Sequence, residues 1–151
     1  EVNLLVKGEL VCSKSYNIGT VRMLNDAVDF GEWKRLEADM RTLSEIYSGT
    51  NIIGSGGNIN KLYRLAEKTD KKRQRISVIV LKSLYEKLKL LSFEERMQVF
   101  NLKPDRADVI VPASEIFLTI AEILHSEYIY VPVIGLADGI IDGLYAANRN
   151  R

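Results

Sequence analysis

The sequence predicts an α/β domain in which helices cover a mixed sheet, and three observations carry that prediction. Short alternating or β-branched stretches, Val2 to Tyr16, Asn51 to Ile53 and Tyr128 to Ile134, stand at the start, middle and end of the chain. Between them, apolar residues recur three and four apart, the spacing of one helical face. The 151 residues, 46% hydrophobic and without repeats or low-complexity tracts, suit a single domain, 1–151, with a real core.

Val2, Leu4 and Val6 alternate, Lys7-Gly8-Glu9 turns, and Leu10 to Tyr16 resumes an extended pattern, so the chain begins with a hairpin that Gly19-Thr20 ends. From Phe30, the residues Trp33, Leu36, Met40, Leu43 and Tyr47 form one helical stripe, and Ser48-Gly49 stops it. Asn51 to Ile53 is the next strand, followed by a glycine turn and a short helix that buries Ile59, Leu62, Tyr63 and Ala66. Lys68 to Arg75 is a polar, basic connector. Ile76 to Val80 has strand propensity, but Leu81, Leu84, Tyr85 and Leu88 continue at helical spacing, which predicts a helix capped near Ser77. Ser92 followed three residues later by Glu95 opens another helix through Phe100, and Pro104 closes that segment. Val109 to Val111 leads through Pro112 into a helix that buries Ile116, Ile120, Ile123 and Leu124. Tyr128 to Ile134 is a strand, Gly135 turns, and Ile140, Ile141, Leu144 and Tyr145 mark a closing helix.

Charge and cysteine content exclude several classes. With 21 basic and 20 acidic residues, no net field draws the whole molecule to nucleic acid or to a membrane surface. The single cysteine, Cys12, permits no internal disulfide, which leaves the compartment open and favours a reducing cytoplasm. No run approaches the ~20 apolar residues of a membrane span, and the first residues lack the pattern of a signal peptide. A start at Glu1, inside a strand, suggests a piece of something longer.

The stretch richest in chemistry is Gly54-Ser55-Gly56-Gly57-Asn58, between a strand and a helix. Its glycines remove side chains that would keep phosphate oxygens from backbone N–H groups, and the helix that follows aims its positive end there. A tight turn needing glycine for geometry alone would look the same. Other candidates read mainly as structure. His125 has no second histidine or cysteine to share a metal with, Ser13 and Ser15 have no evident base, and Cys12 reads as a small strand hydrophobe. Trp33 and the tyrosines at helical spacing read as core.

Several segments, taken in order, carry a family pattern. Glu1-Val2-Asn3-Leu4 follows the last residue of a GGGSTE loop and the strand after it; Ser15, Gly19, Val21 and Arg22 follow a serine and G-x-V-R-L, with Met23 for the leucine. Gly54 to Asn58 follows G-x-G-G or G-x-S-G-T, Arg106 to Ile116 follows R-A-D-x-I-x-P-x-x-x-I, and Gly135 to Ile141 follows G-L-R-E-G-x-L. In this the chain resembles the second lobe of the exopolyphosphatase and guanosine pentaphosphate phosphatase family (Ppx/GppA), within the actin, Hsp70 and sugar-kinase superfamily of ribonuclease H-like lobes. Ala137 departs from the pattern, standing where the family has arginine, while Asp138 keeps the adjacent carboxylate.

The resemblance implies magnesium-dependent hydrolysis of a phosphoanhydride, releasing terminal phosphate from inorganic polyphosphate or guanosine pentaphosphate. It implies that Gly54, Ser55, Gly56, Gly57 and Asn58 cradle phosphate. Glu1 becomes the catalytic and metal-holding carboxylate, since a hard cation takes oxygen ligands. Arg22, Lys71, Lys72 and Arg73 become polyanion contacts, Arg22 having bracing of the hairpin as its alternative. Arg106 and Asp108 read as structural, at a helix start. The first lobe, most of the GGGST loop and the general base fall outside this sequence, so the chain alone is expected to be inactive. The intact protein is expected to act in the cytoplasm, with a homodimer possible and without nucleic-acid or membrane partners. Two other readings stand beside this one: a nucleotide-binding kinase-type lobe with an adenosine pocket near Gly54, and a regulatory or assembly lobe with an exposed patch at Phe93, Met97 and Phe100.

Overall fold

The computed structural model describes residues 1–149. Strands β1 (Val2–Val6) and β2 (Glu9–Lys14) form the expected antiparallel hairpin, joined by Lys7 and Gly8 at φ 53° and 88°. Two successive positive φ values give a turn whose twist matches that of the strands. A short helix, α1 (Thr20–Leu24), follows where the sequence suggested only a strand end. Helix α2 (Phe30–Ile46) starts where the Asp29 carboxylate accepts the Gly31 N–H at 2.6 Å, and it buries Leu36 and Met40.

Strand β3 (Ile52–Ile53) leads through the glycine turn into α3 (Gly57–Leu65), which buries Ile59 and Leu62 completely. The two propensities around Ile76 divide at Ser77. Arg75–Ser77 is a strand, β4, and Val78–Leu90 is a helix, α4, with the Ser77 hydroxyl accepting the Val80 N–H at 3.2 Å. Helix α5 (Phe93–Phe100) has the predicted capping box, Ser92 and Glu95 each accepting the other's N–H. It ends at Asn101, in the left-handed region, and Pro104 opens a further turn, α6 (Pro104–Ala107), rather than only closing α5. Proline suits that first position because its missing N–H has no helical partner to lose. Helix α7 (Ile110–Ile123) buries Ile110, Pro112, Ala113, Ser114, Leu118 and Ala121, while the expected Ile116, Ile120, Ile123 and Leu124 are only half-buried.

The last strand, β5, is Tyr128–Tyr130, shorter than the apolar run that ends at Ile134. Pro132 has no N–H for a ladder and Val133 sits at φ 56°, which ends the extended backbone. Among the described residues the sheet order is β3-β5-β4, with β3 parallel and β4 antiparallel to β5, and the hairpin is a separate two-stranded sheet. The sheet is thus mixed, as predicted, and α3, α4 and α7 pack with it around Ile129, Val131, Ile76, Ile59 and Leu81. Phe93, Met97 and Phe100 are half-buried against this core, which removes the exposed patch that would have favoured an assembly lobe. The closing helix α8 (Leu136–Asn148) forms, but Ile141 is 64% and Tyr145 is 69% exposed. Among the described residues no helix is long and apolar enough to cross a membrane.

Candidate functional site

The three glycines of the turn do three different things. Gly54 is buried, and a Cβ there would come 2.8 Å from Ile59, 3.2 Å from Phe117 and 3.3 Å from Ile129. Its N–H donates to the Tyr130 carbonyl at 2.8 Å, so that amide is committed to the sheet and is not free for phosphate, contrary to expectation. Gly56 caps α3 at φ 103°, ψ 170°, a region open essentially to glycine alone, with nothing within 4 Å of the missing side chain. Gly57 is the first helical residue, and a Cβ there would lie 2.9 Å from the Arg106 guanidinium.

Sequence reasoning read Arg106 as structural, at a helix start, and left it out of the phosphate cradle. From α6 its Nη1 donates to Asn58 Oδ1 at 2.6 Å, fixing the guanidinium over the first turn of α3. An α-helix leaves its first N–H groups without intrahelical partners and carries partial positive charge there. Here no side chain caps that end and its first turn holds no acidic residue. The Arg106 Nε lies 3.8 Å from the exposed Asp105 carboxylate, a loose surface pair that offsets little of the repulsion between a guanidinium and a positive helix end, and a phosphate suits both, since arginine and helix N-termini bind it by hydrogen bonds as well as charge. The sequence signal was the R-A-D pattern; what it lacked was the fold that closes 48 residues between Asn58 and Arg106.

Topology brings a second group to the same edge of the sheet. Ile53 pairs with Tyr130, and Tyr130 pairs with Arg75, so the loop after β3 and the turn before β4 leave the sheet at the same end, with β5 between them. Lys71, Lys72 and Arg73 are exposed on that turn. Asp70 and Arg75 exchange backbone hydrogen bonds at 3.0 and 3.1 Å and pair through their side chains at 3.1 Å. Arg75 also lies over the Tyr128 ring at 3.8 Å, so it is bracing and not a free cation. The Arg73 N–H, with Arg75 beyond it, holds the Asp70 carboxyl below its ordinary range. Asn51, Ile53, Arg73, Gln74, Tyr130 and Pro132 line a shallow pocket of about 340 Å³ next to the loop.

The remaining candidates lie apart. Glu1 is exposed on the hairpin and accepts a hydrogen bond from Ser15 Oγ at 3.4 Å. Among the described residues no hydrogen bond or ion pair joins it to the loop, and no group of three or more His, Cys, Asp or Glu gathers to hold a metal. One carboxylate is too few oxygen donors to hold magnesium without phosphate oxygens from a substrate. Arg22 is exposed on α1, and among the described residues its side chain braces nothing. The hairpin is braced instead by α2. Asp39 accepts from Lys14 at 2.6 Å and from the Tyr16 hydroxyl at 2.8 Å, Glu32 accepts the Asn17 N–H at 2.7 Å, and Arg35 donates to the Ser15 carbonyl at 2.8 Å. The Lys14 hydrogen bond, then that of Tyr16, pulls the Asp39 carboxyl down, while burial and then Asp39 push the Tyr16 hydroxyl up.

The Ppx/GppA phosphatase family matches residues 1–147. No curated protein matches the chain. Among solved structures, the type II variant of an Aquifex aeolicus Ppx/GppA phosphatase superposes with a TM-score of 0.66 at 25% identity, over 89% of this chain and 49% of that one. A second structure of the Aquifex aeolicus family member gives 0.67 at 24% identity, over 93% and 51%. An exopolyphosphatase from Cytophaga hutchinsonii gives 0.62 at 16% identity, over 83% and 46%. The chain spans about half the length of these solved relatives. The fold is accordingly the α/β, ribonuclease H-like lobe of actin-like ATPases.

Proposed function

This chain belongs to the Ppx/GppA phosphatase family, and we propose that it is the second lobe of a phosphoanhydride hydrolase that releases terminal phosphate from inorganic polyphosphate or guanosine pentaphosphate. The observation that supports this most is Arg106 held by Asn58 over Gly57, at a helix end with no acidic residue of its own. In this reading the terminal phosphate sits against the N–H groups of Gly57 and Asn58 and the Arg106 guanidinium, with Ser55 and Gly56 at the rim. Charge that develops on the phosphoryl oxygens during attack by water is met by donors already in place, so little reorganisation is needed at the transition state. Magnesium, when bound, supplies neutralisation of phosphate charge, and Glu1 is the oxygen ligand this chain offers it. The base that activates water belongs to the other half of a two-lobed protein, which acts in the cytoplasm and pairs as a homodimer. This chain alone is therefore inactive.

Magnesium-dependent phosphate release from long-chain polyphosphate and guanosine pentaphosphate tests the proposal, comparing this chain with a two-lobed protein containing it. A silent chain beside an active two-lobed protein is expected, and Arg106→Ala in the latter should lower kcat about 100-fold, as loss of one preorganised donor does. Unchanged turnover in that variant would remove the loop assignment. The pocket beside Ile53 and Tyr130 keeps a kinase-type lobe as the second reading. Tighter binding of ATP than of tripolyphosphate would select it.

A further inference from the structure

We propose that Arg96 is the positioning residue for Arg106: from α5 its guanidinium ties the end of α6 to the end of α4, and so sets where the Arg106 guanidinium meets the first turn of α3. The inference rests on the reading of that turn as the phosphate site and adds the residue that holds its arginine in place. Arg106 rides on α6, a single turn of four residues whose N-cap, Lys103, makes no side-chain hydrogen bond. So short a helix does not hold its own place, because one turn fixes several backbone dihedrals for few hydrogen bonds. Leu102 and Ala107 are buried and pin the segment to the core at either end. Apolar burial is non-directional, so it fixes the depth of α6 better than its orientation.

Arg96 supplies the directional contacts. It is half-buried, with Nε donating to the Leu88 carbonyl at 2.8 Å and Nη1 donating to the Ala107 carbonyl at 3.2 Å. Leu88 lies in the last turn of α4 and Ala107 is the last residue of α6, so both carbonyls stand at helix ends, where intrahelical donors run out and a cation is favoured. Both residues are fully buried, and a buried carbonyl that loses its donor is costly. Among the described residues Arg96 forms no ion pair, which leaves these carbonyls as its partners. Leu81, Leu84 and Leu88 of α4 share one core with Ile59 and Leu62 of α3. Contact therefore runs from α3 through the core to α4, through Arg96 to Ala107, and one residue back to Arg106. A planar guanidinium presents its nitrogens at a fixed separation, which the single nitrogen of a lysine cannot do.

Tripolyphosphate binding by the chain tests this in a double-mutant cycle of Arg96→Lys and Arg106→Ala. Arg106→Ala should weaken binding about 10- to 100-fold, as loss of a charged hydrogen bond does. Arg96→Lys keeps the charge and loses the two-carbonyl span, and should weaken binding about fivefold. The double variant should bind no more weakly than Arg106→Ala alone, because no guanidinium is then left to place. If the two losses multiply instead, Arg96 does not act through Arg106 and the proposal is overturned. If Arg96→Lys binds like the parent while Arg106→Ala is weakened, the positioning role is wrong and the loop reading stands. If the parent chain does not bind tripolyphosphate, or Arg106→Ala binds it equally well, the loop reading fails and the inference with it. Denaturant unfolding is followed for each variant, and Arg96→Gln takes the place of Arg96→Lys if the latter does not fold. Failure of both to fold would make Arg96 a brace of the whole domain and overturn the proposal.

Discussion

The glycine loop and the hairpin anchor are held by opposite kinds of force. Gly54 is set by apolar contact with Ile59, Phe117 and Ile129 and by a sheet hydrogen bond to Tyr130, all in or against a core from which water is excluded. The hairpin is fixed to α2 by Lys14, Tyr16, Glu32, Arg35 and Asp39, near the surface and mostly by charged groups. Core packing gives the loop a position that salt and pH barely touch, whereas the anchor weakens as its charges are screened or neutralised. If Glu1 serves the same phosphate as the loop, the hairpin that carries it is the adjustable side of the site.

The contrast is sharpest at Ile129, which is fully buried beneath the loop. Ile129→Ala should cost about 2–5 kcal/mol in chemical denaturation, through lost burial and the cavity left behind. Gly54→Ala should cost about 1–3 kcal/mol, because the added methyl overlaps residues that have little room to yield. Gly56→Ala should cost a similar amount for another reason, backbone strain at φ 103° with open space around it. Gly57→Ala, whose methyl meets only the Arg106 guanidinium and displaces it at the cost of its hydrogen bond to Asn58, should leave stability nearly unchanged while weakening anion binding. A Gly57→Ala variant as unstable as Gly54→Ala would erase the distinction between packing and binding glycines.

The anchor should respond far less to substitution and far more to conditions. Asp39→Ala should cost under about 1 kcal/mol, a loss that shrinks in 1 M salt, and hydrogen exchange should quicken in the hairpin before the sheet. Asp39 has a lowered carboxyl, so its contribution is present above the unfolded value of about 3.9 and is lost as pH falls through the lower folded value. Tyr16 has a raised hydroxyl, so its contribution is present below about 10 and is lost as pH rises beyond that. Hairpin protection should therefore be greatest between those limits, and a hairpin equally protected at pH 2 would show that the ion pairs do not hold it.

Local patterns in the sequence determined most of the elements. Alternation marked the hairpin, three-and-four spacing marked α2, α3 and α7, and Ser77 and Ser92 marked helix starts, because each signal depends on residues a few positions apart. The order of the glycine loop, the R-A-D segment and the closing glycine segment was enough to point to the family that residues 1–147 match. Tertiary structure alone decided how the three glycines divide their roles, since Gly54, Gly56 and Gly57 look alike in sequence and differ in what stands over them. It alone recast Arg106, a residue that reads as structural at a helix start, as the guanidinium over α3, and it tied Arg75 to Asp70 while leaving Lys71, Lys72 and Arg73 exposed. It also left the apolar face of α8 exposed where helical spacing marks only which residues share a face. Periodicity is set by the backbone of each segment by itself, but which cation meets which helix end depends on contacts between segments far apart in the chain.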